Sequence, residues 1–414
     1  MKTLAFIAAY PPWPMSHGGT VACYWELMAL RKQFAVTVYC PHPFDASTAA
    51  ETVTHLKSLG VDVGWLSDPA SHRPASGRVR YYADSLLSGM PVVCRQIIPG
   101  HPSEFEDFIQ QIPAHDVIMM HQSFVAIAYL GFRKRDTQSQ VAPLLLVEHN
   151  DESAIWKDMA RTPAISFVRR ISCLLESMKI KRQLRRVYRQ CQRIGFLSAR
   201  DLSSVRHLIP EDTYSCVLPV IMPMPQDHKQ DYRRKGELTY FGTLGSYPSI
   251  DALCWLIGEI MPHVWLRDPG CRLKIIGNIP GDVCGNEVSR LLRSDTRIEQ
   301  IAPLNSNEAD ALLCGSDIVL SPIRLGGGIK IKNLVAAGLA IPLITTSAGL
   351  RGSQMIPGRD CICADTTAAF ADAILSLMHD EEKRRTLGMN GRRYLADHHA
   401  GDAAAGQWLQ FAAP

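Results

Sequence analysis

No two of the twelve cysteines stand in a CxxC spacing, and no Cys/His pattern has the intervals of a zinc site. A disulfide framework is not needed by 414 residues, which can bury large cores. The cysteines therefore read as small buried hydrophobes in a reducing compartment. No apolar run approaches the roughly 20 residues that span a bilayer. The chain lacks a strong net charge: 44 Lys+Arg against 40 Asp+Glu leave +4, too little to argue for nucleic acid. It also lacks a short-period repeat. With 46% hydrophobic and 20% charged residues, a mostly disordered chain, a collagen-like fibre and a long coiled coil are excluded.

What is present is an alternation of short apolar runs and helical patterns. Leu4 to Ala9 reads as a first buried strand rather than a signal peptide, because the run stops at Pro11-Pro12-Trp13-Pro14 with no small-residue cleavage site. The loop Ser16-His17-Gly18-Gly19-Thr20 follows, then a helix over Val21 to Lys32 and a strand over Ala35 to Cys40. That βαβ unit predicts a parallel sheet. Further strands are predicted at Val61 to Leu66, Val117 to Met120, Pro143 to Val147 and Ile194 to Ser198. A proline-rich polar stretch, 219–235, predicts a linker. A second series of strands and helices begins at Leu238, with one helix predicted over Ile250 to Val264. Helical patterns run from about Thr367 to Phe411.

The strongest chemical signal is Ser321-Pro322-Ile323-Arg324-Leu325-Gly326-Gly327-Gly328-Ile329-Lys330-Ile331-Lys332. Three glycines sit between a strand and a helix. Glycine lets backbone approach a ligand, and a helix start offers free N–H groups. Arg324, Lys330 and Lys332 add charge, so Gly326 to Lys330 suits a diphosphate without a metal ion. The alternative is a tight turn with solvated lysines. His17, Gly18 and Gly19 border a second strand–helix turn, which is either an ordinary turn or part of the same ligand cleft.

The ordered set Tyr240-Phe241-Gly242-Thr243-Leu244, Leu273-Lys274-Ile275-Ile276-Gly277, Ser316-Asp317-Ile318-Val319-Leu320, the glycine loop, Gly338-Leu339-Ala340 and Gly349-Leu350-Arg351-Gly352 resembles the donor-binding domain of the retaining GT-B glycosyltransferases called glycosyl transferases group 1. Pro11-Pro12, Gly18-Gly19, Met90-Pro91, Asp116 to His121, Glu148-His149-Asn150 and Leu197 to Asp201 stand where that family has similar pieces. The resemblance implies an α/β, GT-B fold of two Rossmann-like doubly wound domains facing a cleft. Their expected spans are 1–218, a linker at 219–235, 236–390 for the nucleotide sugar, and a helical tail at 391–414 returning to the first domain.

It implies a retaining, metal-independent transfer of a sugar from a nucleotide diphosphate sugar to a glycan, lipid-linked or protein acceptor. The sugar would leave by same-face substitution, with the donor phosphate taking the acceptor proton. No cofactor or metal is expected. His121 would contact the sugar as the catalytic candidate. His149, Gly242 and Thr243 would line the cleft with His17, Gly18 and Gly19. Gly326, Gly327, Gly328, Ile329, Lys330, Arg324 and Lys332 would hold the diphosphate.

One departure stands out. The family usually carries a Glu where this chain has Val335, and its other acid falls on Gly327. Valine accepts no hydrogen bond from a ribose, at a cost of about 1.5–3 kcal/mol to a ligand that relied on one. Two further readings follow: a non-catalytic GT-B binding module, and a nucleotide-sugar epimerase on the same fold.

The segment from about Ile165 to Arg193 predicts a basic amphipathic helix or helix pair, with Leu174, Leu175, Met178, Leu184, Val187, Tyr188 and Cys191 as its apolar stripe. The expectation is a core-facing stripe with a solvated cationic face. The alternative is contact with an anionic membrane through 169–193, placing a cytoplasmic protein at the inner membrane surface. No nucleic-acid partner is expected.

Overall fold

The computed structural model describes residues 1–43, 45–67, 89–98, 102–133, 142–161, 166–225, 231–278, 283–302 and 306–413. Within these, the chain divides into two compact units: Met1–Val220 with Asp402–Pro414, and Ile221–Gly401. No helix among the described residues is long and apolar enough to cross a membrane.

The first unit is built on seven strands: β1 Lys2–Ile7, β2 Phe34–Cys40, β3 Asp62–Trp65, β4 Val117–His121, β5 Leu144–Glu148, β6 Arg193–Phe196 and β7 Tyr214–Val217. Their order is β3-β2-β1-β4-β5-β6-β7, and every pairing is parallel. The central strands β1, β4 and β5 are almost wholly buried, which is why they read as continuous apolar runs. The second unit holds β8 Glu237–Phe241, β9 Arg272–Ile276, β10 Ile298–Ile301, β11 Ile318–Ser321, β12 Leu343–Thr345 and β13 Ile362–Cys363. Their order is β10-β9-β8-β11-β12-β13, again all parallel.

Strand order reverses between β1 and β4 in the first sheet and between β8 and β11 in the second. At such a switch point the crossovers leave in opposite directions and open a crevice at the strands' carboxyl ends. The loop ending at Gly18-Gly19 follows β1. The loop holding the three glycines follows β11. Both glycine motifs thus stand at switch points.

Three expected elements differ. The helix read over Ile250 to Val264 is two helices, Tyr247–Trp255 and Met261–Arg267, joined by a wider turn at Leu256–Ile260. The residues read as a linker at 219–235 are only partly free-standing. The boundary falls at Val220/Ile221, and Tyr232 is held in the second unit, its hydroxyl donating to the Ala340 carbonyl at 2.9 Å. The returning tail is shorter than 391–414. The helix Glu381–His398 belongs to the second unit, and 402–414 to the first. Trp408 anchors that last piece, fully buried, with its indole N–H on Pro219 O at 2.8 Å.

Candidate functional site

In the second unit, the glycine loop leaves β11 and ends at the helix Ile331–Gly338. Lys330 takes the cap position with no side chain on the first helical N–H groups. A helix start without a side-chain cap is a place that suits an anion. Gly326 (φ +97°) and Gly328 (φ +66°) adopt backbone that side chains oppose. Gly326 lies against Pro248, at the start of the helix Tyr247–Trp255.

The three cations have different surroundings. Lys330 Nζ turns back onto its own loop, donating to the carbonyls of Gly327 (2.6 Å) and Gly328 (2.9 Å). Arg324 is committed to Asp251 through two bonds of 3.0 and 2.7 Å and lies 4.9 Å from the Trp255 ring. Lys332 Nζ sits 4.4 Å above the Tyr240 ring and 3.3 Å from its hydroxyl. A Cβ on Gly242 would come within 3.1 Å of that ammonium. The fold thus brings Lys332 to Gly242 and its neighbour Thr243, at the carboxyl end of β8, while Arg324 is held against a helix by its own carboxylate. Val335 is half-buried on the helix Ile331–Gly338.

In the first unit, the helix Gly18–Leu30 begins beneath His17. The His17 Nδ1 accepts from Thr20 N, and the Thr20 hydroxyl oxygen accepts from His17 N. This reciprocal cap settles the ring and leaves Gly18 and Gly19 in the first turn. Burial holds the His17 pKa below the ordinary imidazole value. Gly19 has no room for a side chain, since a Cβ would collide with the Tyr10 hydroxyl. Tyr10 in turn accepts from Gln122 Nε2 at 2.8 Å, and Gln122 holds the uncommon φ of +76° between β4 and the next helix.

His121 and His149 were expected at a cleft. The structure encloses them, 1% and 6% exposed. Val147 is the register partner of His121, and His149 follows it by two residues, so both imidazoles leave the same sheet face. Phe6 stacks on His121 at 3.9 Å, and Trp408 lies parallel at 6.4 Å. In this arrangement the two rings pack into the interior of the first unit.

They face Cys23 and Glu26, which share one side of the helix Gly18–Leu30 at i, i+3 spacing. Glu26 is the helix's sole charged residue. Among the described residues this quartet has the donor types to hold a divalent ion, with its ligand atoms within 4.8 Å of one another. A closed zinc tetrahedron has donor edges of roughly 3.5 Å, so the set would have to contract. His121 Nδ1 lies 3.2 Å from Glu26 Oε2, close enough for an ion pair but without hydrogen-bond alignment. Burial pushes Glu26 up to about 7 and holds His121 near 3 and His149 near 4. All three shifts favour neutral forms.

The carboxyl of Glu26 thus has a folded pKa above its unfolded value of 4.5. Its contribution is full below that value and is lost as pH rises through 7. Glu26→Gln escapes this loss. Its stability relative to wild type climbs across that window by about 3 kcal/mol. Urea unfolding at several pH values checks this, and a pH-independent difference contradicts it.

Sequence reasoning missed Glu26 and the Tyr10–Gln122 contact. A lone acid in an apolar helix was the available signal for the first. The second joins residues 112 apart and had none.

These two parallel α/β units, with glycine turns at both switch points, are doubly wound domains of the Rossmann-like type. Residues 236–380 match the family model described as glycosyl transferases group 1. The whole chain superposes on sucrose-phosphate synthase from Thermosynechococcus elongatus with a TM-score of 0.71 at 13% identity, covering 99% of this chain and 98% of that one. It superposes on TarM with a TM-score of 0.71 at 8% identity, covering 100% and 99%. The Anabaena Alr3699/HepE protein, solved with UDP and glucose, gives 0.61 at 12% identity over 99% of both chains. An uncharacterized 44.6 kDa protein of the cps region of Klebsiella pneumoniae is 22% identical over 257 residues, 62% of this chain and 64% of that protein, so the match spans less than two thirds of that relative. The likeness to these solved structures shows the fold, which is GT-B, and the group 1 match lies within its second unit.

Proposed function

We propose that the enzyme takes a sugar from a nucleoside diphosphate sugar, with the diphosphate on the loop Gly326 to Lys330 and the start of the helix Ile331–Gly338. The observation that carries this is the meeting of Lys332, Gly242 and an uncapped helix start at one switch point. Charge builds on the diphosphate as the sugar departs, and fixed N–H groups and a cation stabilise it most where water is excluded. Lys332 supplies that charge. Lys330 shapes the loop by binding two of its carbonyls. The donor phosphates need no divalent ion in this scheme.

The similarity to a structure solved with UDP and glucose supports a uridine nucleotide, although Val335 provides no acid for a ribose. The acceptor, a glycan, is assigned to the first unit, where His17, Gly18 and Gly19 border the β1–β4 switch point. The anomeric configuration is retained.

Calorimetry against a panel of nucleoside diphosphate sugars tests the donor. Arg324→Ala should lose less than about threefold in affinity, because Asp251 already neutralises its guanidinium. A loss as large as that of Lys332→Ala contradicts the division of roles. Proton NMR of the product's anomeric signal tests retention, and the opposite configuration from the donor rejects it.

A further inference from the structure

The helix Phe167–Tyr188 has a face that the first unit does not cover. Cys173, Glu176, Ile180, Leu184, Val187 and Tyr188 are its buried side. On the opposite side Phe167 is 75% and Met178 67% exposed, with Val168, Ile171, Leu174 and Leu175 exposed beside them. This corrects the expected stripe: Leu184, Val187, Tyr188 and Cys191 are buried, whereas Leu174, Leu175 and Met178 face outward. No other described helix exposes more than one large apolar side chain.

At 100° per residue the six exposed apolar positions fall within one sector of the helix and run for about 17 Å along it. Arg182, Arg185, Arg186 and Arg189 continue the same sector toward the carboxyl end, all exposed. The helix's sole acid, Glu176, is turned inward, accepting from Val92 N at 2.8 Å and Lys179 Nζ at 2.7 Å. A groove of about 570 Å³ opens beside the arginines, lined by Ile127, Leu130, Gln183, Arg186, Arg189 and Gln190.

We propose that this face seats the enzyme on an anionic lipid bilayer. The six apolar side chains enter the boundary between headgroups and acyl chains, and the arginines meet headgroup phosphates. An apolar patch bordered by one sign of charge has this chemistry. A second copy of the chain fits it less well, because parallel pairing would oppose arginine to arginine and antiparallel pairing would lay arginines on apolar side chains, with no acid on this face of the helix to pair them. A nucleic-acid backbone would satisfy the arginines and leave six apolar side chains in water. The inference stands apart from the donor reading and is tested without a donor.

The full chain is floated with phosphatidylcholine vesicles and with vesicles holding phosphatidylglycerol, at low and high salt. Binding to the anionic vesicles should be at least about tenfold stronger and should weaken with salt. Leu175→Glu with Met178→Glu, and separately Arg185→Glu with Arg186→Glu, should each lower it about tenfold. All four side chains are exposed, so circular dichroism melts should match wild type. Equal partition into both vesicle types, or undiminished binding by both variants, overturns the proposal. So does absent vesicle binding together with an oligomer, seen by sedimentation velocity, that Leu175→Glu with Met178→Glu dissociates.

Discussion

Lys332→Ala lowers donor-dependent transfer by at least tenfold and up to about a hundredfold, with little change in the unfolding midpoint. A charge-assisted hydrogen bond to a ligand is worth roughly 1.5–3 kcal/mol, which sets that range. The ammonium rests on the Tyr240 ring and beside Gly242 without a carboxylate partner among its described contacts. Removing it leaves Tyr240 buried and the sheet intact. Lys330→Ala weakens transfer by another route, because it frees the carbonyls of Gly327 and Gly328 and loosens the loop. Steady-state kinetics with donor varied check both. Unchanged turnover in the two variants removes the phosphate assignment.

The second large effect is at a residue that touches no ligand in this scheme. Gly352→Ala should lower kcat/KM for the donor by more than about tenfold and cost roughly 1–3 kcal/mol of stability. Gly352 holds φ +85°, where a side chain is strained. Its new Cβ would also meet Ile329 N at 2.8 Å and Gly328 C at 3.0 Å. Both atoms are backbone of the donor loop, so relief comes only by moving the amides that would hold the phosphates. Gly60→Ala is the matched control. Its φ is +74° with nothing near the Cβ, so it carries strain without displacement. A control that lost as much donor efficiency as Gly352→Ala would show that strain alone was at work.

The central strands were legible because burial on both faces makes them unbroken apolar runs, and because polar, glycine or proline residues end each run at the sheet's carboxyl edge. Two of the edge strands, β7 and β13, were not. Tyr214–Val217 is half exposed, and Ile362–Cys363 spans two residues, too short to show a period. The helix from Ile250 read as continuous because its apolar spacing runs through the wider turn at Leu256–Ile260 without a break. The glycine loop was legible from composition, but the ranking of its cations was not. Asp251 pairs with Arg324 across 73 residues of sequence, and only the folded β11 edge brings them together. His121 was placed correctly at the end of β4. Its burial depended on Phe6, Glu26 and Trp408, which reach it from both ends of the chain.

The most direct test is the thermal unfolding midpoint of the full chain with UDP, UDP-glucose and the other common nucleoside diphosphate sugars. A ligand that binds only the folded state raises its stability in proportion to RT ln(1 + [L]/Kd). A rise is expected with at least one nucleoside diphosphate, and loss of that rise in the Lys330→Ala, Lys332→Ala double variant, which melts like wild type without ligand. No rise with any of them, or an equal rise in the double variant, contradicts it.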